Sequence, residues 1–162
     1  MPALLQTAEY AQAIIEAIAP KMSLDILQQR VEARMRRQQL LEGAARPRYR
    51  ILLDESALYR RVGEASIMAA QLNKVLGAIR QDRAAVQIIR FDAGAHASAD
   101  GYFVLLEFDE PHLSPVVFLE GLTGNQYLER KPDIDRYRET IEYLRDSALS
   151  PRDSQVLIAE HR

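Results

Sequence analysis

Cysteine is absent from the 162 residues. That excludes disulfides, thiolate nucleophiles and thiolate metal sites. Histidine is scarce. His96, His112 and His161 lie far apart in the chain, and no two of them have metal-ligand spacing, so no metal site is expected. Long apolar runs are missing as well: none approaches the roughly 20 residues that span a bilayer. The N-terminal segment carries Glu9 and Glu16 and no basic start, unlike a secretory signal. Nor is there a surplus of one charge. The 21 Lys and Arg against 23 Asp and Glu give −2, which makes no general case for direct nucleic-acid binding or for an anionic membrane. Repeats and low-complexity linkers are not found. The expectation is a cytoplasmic chain forming a single domain over residues 1–162, long enough to bury a core.

What is present alternates in period. Thr7 can cap a helix from Ala8 to about Ile18, which Pro20 stops. Ser23 can cap the next, with Asp25 in its first turn and an apolar stripe of Leu24, Leu27, Val31 and Met35. "RYRILLDE" (48–55) reads as a strand, and residues 64–80 as a helix with Met68, Leu72, Val75 and Ile79 on one side. "AVQIIRF" (85–91), "YFVLLEF" (102–108) and "VVFLEG" (116–121) are rich in β-branched and aromatic residues and read as strands, with a short edge strand at 126–129. Pro132 suits the first turn of a long helix whose stripe is Ile134, Tyr137, Ile141, Leu144 and Ala148. Ser150, Pro151 and Asp153 begin a last one. This order predicts an α+β fold, a largely antiparallel sheet of four to five strands with helices packed on it.

The hairpin of strands 102–108 and 115–121 is the most informative element. A simple register about "DEPHLS" opposes Phe108 with Pro115 and so Phe103 with Glu120. Tyr102, Val104, Leu106, Phe108, Val117 and Leu119 then face the core. Phe103, Leu105, Glu107, Val116, Phe118 and Glu120 form the other face, apolar with two carboxylates, a lining that small-molecule pockets use. Glu107 and Glu120 come out about four residues apart along the hairpin, too far to share a proton at roughly 3.3 Å per residue. The expected ligand-binding set is Arg90 and His96 at the rim, then Phe103, Leu105, Glu107, Phe118, Glu120 and Tyr127. As an enzyme, the chain would use Glu107, Glu120 and His96 as acid–base groups.

Other motifs carry less. His96 has no serine-hydrolase pattern or second histidine beside it, so it reads as pinning its own loop. "EGLTGNQ" (120–126) lacks the Lys-Ser/Thr of a phosphate loop and does not open a helix. No cofactor motif is present, and no cofactor is expected. Arg30, Arg34 and Arg37 share a helix face and Arg46, Arg48 and Arg50 follow; with Glu32 and Glu42 among them they read as a solvated face or a protein-contact patch.

Taken in order, "LLQTAEYAQAI", "EARMRRQQLL", "ILLDESALYRRVG", "MAAQLNKVL", "VQIIRFDAGAH", "FVLLEF", "VVFLEGLTGNQYLE" and "RYRETIEYLRDSALSP" resemble the C-terminal domain of bacterial XRE-type helix-turn-helix regulators of the antitoxin-like group. Such regulators usually carry the helix-turn-helix before the "LLQT" segment, which here starts three residues after Met1; the expectation is a domain without its own DNA-binding module. Two further departures are Phe118 and Arg90, where the family often has Tyr and Pro. The resemblance implies a non-catalytic sensing domain that takes a small molecule, or a small partner protein encoded nearby, and brings no catalytic residues. A free-standing relative recruited to biosynthesis, as a cyclase, isomerase or dehydratase, is the alternative. A homodimer through the stripe of Ile134 to Ala148 or through the terminal helix is a third reading.

Overall fold

The computed structural model describes residues 1–97, 101–121 and 123–162. These form two compact units, one of Met1–Phe91 with Leu149–Arg162 and one of Asp92–Ala148.

In the first unit a 3-10 turn, Ala3–Leu5, leads into α1 (Ala8–Ile18), where the Thr7 side chain accepts from the Tyr10 N–H as the sequence predicts. α2 (Leu24–Arg37) follows, with Ser23 at its N-cap but without a side-chain capping bond. β1 (Arg50–Asp54), the single turn α3 (Ser56–Tyr59), α4 (Ala65–Arg80) and β2 (Ala85–Ile89) come next. Because α4 crosses between them, β1 and β2 pair in parallel, Ile51 beside Val86 and Leu53 beside Ile88. The core is Leu72, Val75 and Leu76 from α4, Val86 and Ile88 from β2, and Ile158 from the terminal helix α6 (Pro151–Glu160). Ser150 caps α6, accepting from the Asp153 N–H.

The second unit holds a short 3-10 turn at Phe91–Ala93 on its border, then β3 (Phe103–Leu106), β4 (Val116–Glu120), β5 (Asn125–Leu128) and the helix α5 (Lys131–Ser147), which has Pro132 in its first turn. The three strands form an antiparallel meander in the order β3-β4-β5.

The fold is α+β, but the expected sheet of four to five strands is replaced by two small sheets, one of two strands and one of three. A hydrogen-bonding reason is visible at β2. Its outer edge is occupied: the Ile88 N–H donates to the Ser154 hydroxyl, the Leu149 N–H donates to the Ile88 carbonyl, and the Gln87 side chain donates to the Leu149 carbonyl. With those groups satisfied by the start of α6, no further strand can add there. The strand predicted over 85–91 ends at Ile89 for a related reason. Glu55, buried, turns its carboxylate onto the Phe91 N–H at 2.7 Å and draws the chain into the 3-10 turn.

Candidate functional site

β3 is apolar at every position, Phe103-Val104-Leu105-Leu106. Periodicity alone therefore leaves open which of its sides faces the core. The pairing decides it. Phe103 lies opposite Leu119, Val104 opposite Phe118, Leu105 opposite Val117 and Leu106 opposite Val116. This is one residue away from the register expected from the loop, and a slip of one exchanges the two faces of a strand. β4 keeps its expected sides, while β3 is turned over.

One side of the meander thus carries Phe103, Leu105, Val117 and Leu119, with Leu128 from β5 opposite Val117. α5 packs on this side. Val117 and Ile134 are buried, and the Phe103 ring lies 4.7 Å from that of Tyr137. Past the end of β3, the Glu107 Oε1 accepts from Arg138 Nε at 2.9 Å and Nη2 at 2.7 Å. Two contacts to α5, one aromatic and one ionic, hold β3 in this orientation.

The other side carries Val104 and Leu106 from β3, Val116, Phe118 and Glu120 from β4, and Tyr127 from β5, which lies opposite Phe118 with ring centroids 5.2 Å apart. Leu106 is 44% exposed, Tyr127 64% and Tyr102 55%, so this apolar side is open rather than a second core. Burial and the neighbouring Glu120 carboxylate push the Tyr102 phenol up from its ordinary value.

The predicted ligand-binding residues do not form one wall. Phe103, Leu105 and Glu107 lie on the α5 side; Phe118, Glu120 and Tyr127 lie on the open side. His96, half-buried, belongs to the second unit and the exposed Arg90 to the first. The loop between His96 and β3 includes residues 98–100, and the turn between β4 and β5 includes residue 122, which lie outside the described residues. Two surface clefts, of about 430 and 320 Å³, are lined by residues of the first unit and by none of the predicted set. Among the described residues no group of three His, Asp or Glu is placed to hold a metal, and no helix is long and apolar enough to cross a membrane.

Sequence reasoning missed Tyr102, Val104 and Leu106 as surface residues and Arg138 as the partner of Glu107. The signal that could have found the latter was available. Arg138 falls one turn after Ile134 on α5 and borders the stripe that covers the sheet.

A domain of unknown function, DUF5753, matches residues 1–160. The chain belongs to the DUF5753 family. No curated protein and no solved structure matches it.

Proposed function

We propose that this DUF5753 chain is a non-catalytic binding domain of a regulatory system, and that it receives a small partner protein on the open side of β3, β4 and β5. The observation that carries the reading is the apolar face of Val104, Leu106, Val116, Phe118 and Tyr127, on which Leu106 and Tyr127 are exposed and the other three half-buried. A face of this kind, with tyrosines and a carboxylate at its edge, matches the make-up of a protein interface, an apolar and aromatic centre with a polar rim. It is open to the solvent, which suits a protein surface better than an enclosed small ligand. The regulatory part of the reading is supported by the resemblance of the chain to the sensing domains of XRE-type, antitoxin-like regulators. Catalysis is not favoured by the geometry. Glu107 is held by Arg138, and Glu120 is on the opposite side of the sheet.

The test is a titration of the chain with the protein encoded by the adjacent gene, using the native sequence and Phe118→Asp. A charge at the centre of the face should weaken binding by at least about tenfold, the usual cost of losing a central contact, while the circular dichroism stays unchanged. Equal affinity of the two chains would overturn the assignment of the face, and light scattering of both chains distinguishes a second copy of the chain from a foreign partner.

A further inference from the structure

The arginines that follow α2, Arg46, Arg48 and Arg50, are all exposed. Arg46, Arg48 and Arg50 alternate along the segment that enters β1, and with Arg83, two residues before β2, they line one cleft of about 430 Å³. Asp82 is the single carboxylate in that lining. The chain as a whole has a net charge of −2, so a lining with four arginines and one carboxylate is a local reversal of sign.

The cleft is held in shape by its own hydrogen bonds. Arg46 donates through Nη2 to the Asp82 carbonyl at 3.2 Å, and the same nitrogen is 3.8 Å from the Asp82 carboxylate. Asp82 takes the left-handed backbone conformation, φ 53°, in the turn that ends α4. The Ala85 N–H donates to the Tyr49 carbonyl at 2.9 Å between two parts of the lining, and Ala84 beside it is buried. Arg83 is 3.7 Å from Glu42, a loose pairing between exposed groups that a stronger anion can displace. Pro47 and Tyr49 add apolar surface to the same lining.

We infer that this cleft is a binding site for a small phosphate-bearing ligand, separate from the open sheet face and independent of its assignment. Guanidinium groups bind phosphate oxygens through paired N–H donors, and a cleft of this volume is of small-molecule size. Several arginines converging from two strand ends suit a ligand with more than one phosphate charge. The apolar surface of Pro47 and Tyr49 takes its uncharged part.

The experiment is isothermal titration of the whole chain with sodium tripolyphosphate at low salt and again at 150 mM sodium chloride. The chains compared are the native sequence, Arg48→Ala/Arg50→Ala, Arg50→Glu alone, and Arg30→Ala as a control on the exposed face of α2. The native chain and the Arg30→Ala control should bind alike. Arg50→Glu and the double variant should each bind at least about tenfold more weakly, the loss expected when charge-assisted hydrogen bonds to an anion are removed, with melting curves showing that both variants fold. No binding by the native chain, or equal losses in the Arg30→Ala control, would overturn the inference. Duplex DNA that binds more tightly than tripolyphosphate, and is lost in the same two variants, would also overturn it in favour of a nucleic-acid surface.

Discussion

The first unit closes around its core, whereas the second leaves half of its sheet open. Buried polar side chains make the contrast concrete. Gln6, Glu55, Gln71 and Ser154 are all in the first unit, and each has a hydrogen-bond partner. Most of the buried hydrophobic residues are there too, against Val117, Ile134 and Leu144 in the second. Buried polar groups that are satisfied fix one arrangement of their surroundings. A three-stranded sheet with one helix on one side, by contrast, leaves its other side for something else to cover. The first unit therefore reads as scaffold and the second as the part whose surface is available to a partner.

The largest expected effect tests the scaffold. Leu72 is fully buried on α4, and Leu72→Ala should cost about 3–4 kcal/mol through lost burial and the cavity left behind. Val117 is also fully buried, yet it sits in a thinner core that relaxes more readily, and Val117→Ala should cost about 1–2 kcal/mol at roughly 0.8 kcal/mol per buried methylene. Denaturant unfolding gives both values, and amide exchange should place the fastest-opening strand amides in β3–β5. An equal cost for the two substitutions would break the contrast between the units.

Next is the polar seam of the first unit. The Gln71 side chain donates to the Leu5 carbonyl at 2.7 Å and accepts from the Thr7 N–H at 2.8 Å. Gln71→Leu keeps the volume and leaves both backbone groups without these bonds, at a cost of about 2–3 kcal/mol for buried groups left unsatisfied. A melting temperature unchanged from the native chain would mean that water takes over both roles.

Much of this was legible in advance where a residue type has one local job. The capping by Thr7 and by Ser150, Pro132 in the first turn of α5, and the α4 stripe of Leu72 and Val75 are local statements, and they hold. The division into two sheets was not legible. It depends on where Leu149 and Ser154 return in space to cap β2, more than sixty residues along the chain. The candidate site failed at one point for a different reason. β4 marks its core side with the buried Val117, but β3 has apolar residues on both sides, so its orientation is set by partners distant in the sequence, the β4 register and α5 through Tyr137 and Arg138.

The smallest effect probes that orientation. Arg138 and Glu107 are both substantially exposed, at 45% and 58% of their side chains, and exposed ion pairs are worth about 0–1 kcal/mol. Arg138→Ala should therefore lower stability only within that range. A double-mutant cycle with Glu107→Gln should return a coupling of about 0.5 kcal/mol that falls with added salt. A coupling of zero would leave the Phe103–Tyr137 contact alone to turn β3 over. In that case Phe103→Ala, and not the loss of the ion pair, should loosen the register and bring the protection of the β3 amides down with it.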